Sequence, residues 1–203
     1  MGFDLGAVVA PFATIVLTLF IAELTDKDAL LLLALATRIR LWIAFAAGAV
    51  AFTITSAVIV TAGYFLVNIV PVFWIRLIGG ILMIGFGIWQ YQSTKVEEDE
   101  EKRLIEQTKK KSALSIFLGA VALLILLDLA GDATEVITIV FVARYSNPLL
   151  VFVGAIVALV TATAVETALG NTLKKYLSSK RLRILSLVVL LIIGSAIIIT
   201  TLF

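Results

Sequence analysis

Seven carboxylates stand in stretches too apolar to solvate them. Glu23, Asp26 and Asp28 fall within six residues, together with Lys27; Asp128, Asp132 and Glu135 fall within eight; Glu166 stands apart. A charge at the centre of a bilayer costs at least ~2.5–3.5 kcal/mol, so acids placed this way face other protein groups or a water-filled cavity rather than lipid. Lys27 is the one positive partner at similar depth, and seven acids cannot all pair with it. Spacing adds direction: Glu23 and Asp26 are i,i+3, while Asp128, Asp132 and Glu135 are i, i+4, i+7, a single stripe if the helix is continuous. Two such faces brought together make an oxygen-rich cage.

The chain has no Cys and no His, so thiolate and imidazole are unavailable and any metal or proton chemistry falls to oxygen. Hard divalent cations suit that setting: Ca²⁺ takes 6–8 oxygens, and Mn²⁺ and Mg²⁺ also accept carboxylate, carbonyl and water. Crowding and burial favour the protonated form of a carboxylate. One set of groups can then hold either a divalent cation or protons, and antiport needs that competition. Glu23, Asp26, Asp128, Asp132 and Glu135 are the ligand candidates. Asp28, Lys27 and Glu166 are placed as secondary or proton-coupling residues. Lys27 is either a tethered counter-ion or a direct participant in transport. Glu166 is either a site residue or a local partner of Thr163 or Thr167. The hydroxyls Thr53, Thr55, Ser56, Thr161 and Thr163 either lend oxygens to the site or hydrogen-bond between helices.

The elements that must position these groups are spanning helices. The 203 residues are 62% hydrophobic and 15% charged, with a mean hydropathy of +1.14; soluble domains are nearer half apolar and a quarter charged. The N-terminal MGFDLG lacks the basic region of a cleavable signal peptide. Six segments reach the roughly 20 apolar residues of a span, at about Leu5–Thr37, Leu41–Asn68, Val72–Tyr91, Ala113–Ala143, Leu149–Leu173 and Leu182–Phe203. The first and fourth are longer than a straight span and hold acids in their interiors, which predicts a kink or break in each.

Of 16 Lys and Arg, 13 fall in the first, third and fifth connections, as 2, 6 and 5 residues. The positive-inside rule then puts both termini outside and the central loop in the cytoplasm of a multi-pass protein of the cell membrane. That loop, residues 93–112, includes the run Lys95–Lys111 with six basic and six acidic residues, and reads as a solvated connector.

The chain also repeats itself. A shift of 106 residues brings Asp26 onto Asp132, Arg38 onto Arg144, Gly48 onto Gly154 and Thr55 onto Thr161. Each half holds three spans, and an odd number makes the second half enter the membrane from the opposite side, as in inverted-repeat transporters whose sites lie at the midplane. The expected fold is all-α and polytopic. It has six transmembrane helices in two inverted three-helix repeats, residues 1–92 and 113–203, joined by the loop 93–112. Gly48, Gly79, Gly80, Gly85 and Gly154 read as close-packing positions.

At these residues the sequence resembles the transmembrane protein 165 family of cation/proton antiporters, within the lysine exporter superfamily. That family carries two copies of an E-x-G-D-[KR]-[ST] signature, one per half. The first copy here is Glu23-Leu24-Thr25-Asp26-Lys27-Asp28, with Thr25 in place of Gly and Asp28 in place of the hydroxyl. The second is Leu129-Ala130-Gly131-Asp132-Ala133-Thr134, which keeps Gly, Asp and the Thr134 hydroxyl but lacks the Glu and the basic residue. The resemblance implies export of Ca²⁺ or Mn²⁺ in exchange for protons, with Glu23, Asp26 and Asp132 as ligands and proton acceptors. No tightly bound cofactor is expected, only the transported ions. The partners are the lipid bilayer and the cation, with a homodimer left open and no nucleic acid. Three other readings stay open: transport of another cation or small metabolite, a passive acid-lined channel, and an intramembrane aspartyl hydrolase using Asp26 and Asp132 as a proton-sharing pair.

Overall fold

Prolines and short polar groups end the helices where the apolar runs end. The computed structural model describes residues 5–25, 32, 35–36, 39–92, 112–129, 133–176 and 179–202. Among these residues there are seven helices and no strand: α1 Leu5–Thr25, α2 Leu41–Ile69, α3 Val72–Gln92, α4 Ala113–Asp128, α5 Ala133–Tyr145, α6 Pro148–Tyr176 and α7 Ser179–Leu202. Between α2 and α3, Val70 is extended (φ −110°, ψ 129°), as a residue before proline must be, and Pro71 opens the next turn by accepting from Trp74 N–H at 2.9 Å. Ser112 caps α4, its Oγ accepting from Ser115 N–H at 3.3 Å. Asn147 Oδ1 caps α6 by accepting from Leu150 N–H at 3.1 Å, and Pro148 occupies the first helical position, where its missing N–H costs nothing.

Four helices are long and apolar enough to cross a membrane: Val8–Thr25, Leu41–Ile69, Val72–Trp89 and Pro148–Leu169. Ala113–Leu126 and Leu187–Leu202 are shorter apolar helices. Trp42, Phe65, Ile69, Trp74 and Trp89 are more than half exposed, an outer surface that suits lipid tails and interfaces rather than water. The chain is a multi-pass membrane protein. The expected breaks fall on residues 26–28 and 130–132, and the charged run on 95–111, all outside the described residues.

The two halves correspond element by element. Both α2 and α6 have 29 residues. Leu41 and Pro148, Ile69 and Tyr176, and Val72 and Ser179 are each 107 positions apart. Burial follows the same offset. On α2, Ala44, Ala47, Gly48, Ala51, Phe52, Thr55, Ser56 and Val60 are buried; on α6, Val151, Gly154, Ala155, Ala158, Leu159, Ala162, Thr163 and Thr167 are buried. The shift of 106 therefore holds for the acidic motifs and the Arg after each, and slips by one residue in the next helix. Gly48 matches Ala155 rather than Gly154, and buried Thr55 matches buried Ala162, whereas Thr161 is exposed. The extra residue lies in the turn before α6. Ser146 there takes φ 51°, and its N–H returns to the Val142 carbonyl at 3.1 Å, a left-handed helix terminus.

Packing runs between halves more than within them. The α3–α7 contact is the most extensive, followed by α2–α6; α1 packs on α6 as α4 packs on α2, an exchange of equivalent partners. Glycine brings the backbones together. A Cβ on Gly80 would lie 2.9 Å from the Gly194 carbonyl oxygen, and one on Gly194 would lie 2.8 Å from that of Gly80. Gly48 faces the Thr163 methyl and Gly154 faces Ile15, each too close for a side chain. Gly85 corrects the sequence reading: nothing lies within 4 Å of its would-be Cβ, so it packs against no neighbour. Gly194→Val is expected to lower stability by about 1–3 kcal/mol through overpacking, while Gly85→Ala is neutral or stabilising by up to ~1 kcal/mol. Thermal unfolding midpoints in detergent measure both.

Candidate cation site

The acids of the described residues are held by helices from both halves. Glu23 lies on α1 and is wholly buried; Asp128 closes α4 and is buried; Glu135 lies in the first turn of α5 and is half-buried. Asp26, Lys27, Asp28 and Asp132 fall outside the described residues. One contact joins the halves directly. The Thr134 hydroxyl on α5 donates to Glu23 Oε2 on α1 over 3.5 Å, a long hydrogen bond between residues 111 apart in sequence. Thr134 is itself buried, so both groups have left lipid and water. Thus Glu23 of the first motif meets the hydroxyl of the second.

Local chemistry supports that meeting. Glu135 in the first turn of α5 complements the positive end of the helix dipole. Asp128 sits at the opposite kind of terminus, where α4 gives way to a turn at Leu129; free carbonyls and a carboxylate together there attract a cation. Among the described residues no three acids converge closely enough to hold a metal ion.

The hydroxyls behave differently from both sequence expectations. Thr53, Thr55, Thr161 and Thr163 donate to the carbonyls of Ala49, Phe52, Val157 and Leu159, three or four residues back on their own helices. Their protons are thus spent within the helix, which leaves oxygen lone pairs but no donor. Thr167 does the same, to Thr163 at 2.7 Å. The partnership of Glu166 with Thr163 or Thr167 therefore does not form, because both hydroxyls donate to backbone instead. Sequence reasoning overlooked Thr138, buried one turn beyond Thr134 and donating to its carbonyl at 2.7 Å; the i,i+4 hydroxyl pair was the available signal.

With this geometry in view, comparison with known families is decisive. Residues 11–98 and again 110–202 match the family described as Divalent cation/proton antiporter GDT1. The chain belongs to this family. Searches of curated proteins and of solved structures return no match. Two copies of the GDT1 match, one per half, agree with the duplicated helices and buried stripes. GDT1 membership makes the chain a transporter rather than an enzyme, and its cargo class is divalent cations and protons.

Thr134→Val is expected to weaken cation-dependent transport by about 2–10-fold, the value of one net hydrogen bond to a charged or polar group. Thr134→Ser, which keeps the hydroxyl, is expected to stay close to wild type. Transport rate against cation concentration in vesicles separates them.

Proposed function

We propose that the chain exports Mn²⁺ or Ca²⁺ from the cytoplasm in exchange for protons, by alternating access across two inverted three-helix repeats. The observation that carries this reading is the buried Glu23 on α1 meeting Thr134 of the opposite half. It sets the first acidic motif against the second in a region that excludes lipid. Asp26 and Asp132 are the matched acids of those motifs, at the same position in each repeat. With Glu23 they form the first set of ligands, and Asp128 and Glu135 flank the second motif.

On this reading α4 and α5 are two halves of one span. At 16 residues, α4 rises about 24 Å, short of a ~30 Å hydrocarbon core, and the interruption at 130–132 carries Asp132. The protein lies in the cell membrane with both termini outside and the loop 93–112 in the cytoplasm, as the distribution of Lys and Arg favours. Residues 1–92 and 113–203 are the two repeats. Cation and proton compete for the same carboxylates: protonation removes the charge that holds the cation, and cation binding expels protons. Lys27 serves as the tethered counter-ion that keeps the carboxylates in place when neither ligand is bound. Departures from the motif at Asp28 and Leu129 make another divalent cation the second reading, tested by presenting a panel of ions to the same vesicles.

In proteoliposomes with an imposed pH gradient, purified protein is expected to couple Mn²⁺ or Ca²⁺ movement to opposite proton flux. Glu23→Gln is expected to raise the half-saturating cation concentration at least about tenfold, ~1.4 kcal/mol. Asp26→Asn and Asp132→Asn are expected to abolish coupled flux. Wild-type vesicles that show no divalent-dependent proton movement would overturn the proposal.

A further inference from the structure

Glu166 lies outside both motifs and has surroundings unlike those of the motif acids. It is 1% exposed on α6, and neither carboxyl oxygen has a hydrogen-bond partner among the described residues. Its neighbours on the helix face, Thr163 and Thr167, are buried and have committed their protons to carbonyls. It sits one turn beyond the close crossing of Gly48 and Thr163, where α6 meets α2. The repeat places Ile59 at the equivalent point of α2, at the offset of 107 set by the helix ends. The first half therefore has an aliphatic side chain where the second has an acid.

The elements packed on α6 are α1, α2 and α5. Glu23 is the titratable residue that α1 contributes among the described residues; α2 contains no Asp, Glu, Lys or Arg; α5 brings Glu135, Arg144 and Tyr145. Arg144 is exposed, near the Tyr145 ring at 5.8 Å. No described cation is hydrogen-bonded to Glu166. An isolated carboxylate in such a place is far costlier than the neutral acid. A cation ligand would need several further oxygens converging with it, and no such group of acids forms among the described residues.

We propose that Glu166 carries the coupled proton at a position separate from the cation ligands. This rests on the proton-coupled reading above and adds a residue to it. The carboxyl takes up a proton from water in the outward-facing state and crosses the cycle as a neutral acid. It loses the proton to water in the inward-facing state, while the cation moves the other way. The carboxyl's own bonds are otherwise unchanged, and one O–H bond is made and broken per turnover.

Two assays on the same proteoliposomes test the assignment, one of proton-driven Mn²⁺ or Ca²⁺ flux and one of cation-for-cation exchange without a pH gradient. Glu166→Gln mimics the neutral acid and is expected to fold. It should lose proton-driven flux by at least about tenfold while exchange stays within about twofold of wild type. Glu166→Asp should retain proton-driven flux with its pH profile displaced. Normal proton-driven flux in Glu166→Gln would show a packing role and overturn the proposal. So would a large rise in the cation concentration needed for exchange, which marks a ligand. If Glu166→Gln does not fold, an unshifted pH profile in Glu166→Asp overturns it, and a shifted one supports it. Absent coupled flux in wild type would instead defeat the antiport reading itself.

Discussion

A membrane interior supplies no water, so every polar group must find its partner inside the protein. That constraint accounts for most of what the helices do. Threonine hydroxyls at 53, 55, 161, 163 and 167 return to carbonyls of their own helices. Small residues line the buried stripes of α2 and α6, so these helices approach closely and can enclose the acid-bearing α1, α4 and α5. Glycines 80 and 194 let the α3 and α7 backbones touch. The carboxylates are then the exception, retained despite the cost of burying them. Groups kept under such pressure are kept for function.

Duplication solves the enclosure problem with one design used twice. In the first half α1 is covered by α6 of the second, and α4 is covered by α2 of the first. Neither half can bury its acidic helix alone, so the halves depend on each other for a closed interior. The single extra residue before α6 does not disturb this exchange. A left-handed Ser146 absorbs it in a turn, and the buried stripes of the two long helices stay in register with one another.

Much of this could be read in the sequence, and the failures have physical causes. Apolar runs and breakers located the helices closely: the expected span Leu41–Asn68 is α2 at Leu41–Ile69, and Val72–Tyr91 is α3 at Val72–Gln92. The acidic clusters and the family resemblance rested on residue types that lipid would reject, which makes them conspicuous. The register of the repeat was harder. Matching Gly48 to Gly154 and Thr55 to Thr161 paired residues that are common on helix surfaces in membranes, and a slip of one position keeps such matches while rotating the helix by about 100°. Burial on each face distinguishes the two registers, and burial is a tertiary property. The hydroxyls failed for a related reason: a Thr is equally able to bond its own helix or its neighbour, and only the positions of surrounding donors decide. Gly85 shows the same limit, since a glycine that faces open space reads in sequence like one at a crossing.

The differences between the halves bear on direction. Two identical inverted repeats would make the inward- and outward-facing states equal in energy, because exchanging the halves converts one into the other. Here the equivalent positions differ: Glu23 corresponds to Leu129, Lys27 to Ala133, Asp28 to Thr134, and Ile59 to Glu166. Each substitution gives one half a charge, or a titratable group, that the other lacks. A ligand shifts an equilibrium between two states only by its difference in affinity for them. A symmetric cage would give a bound cation no such difference, whereas an acid present on one side alone does. Duplication therefore explains how the two states can both be well packed, and the departures from it explain how cation and proton can favour different ones.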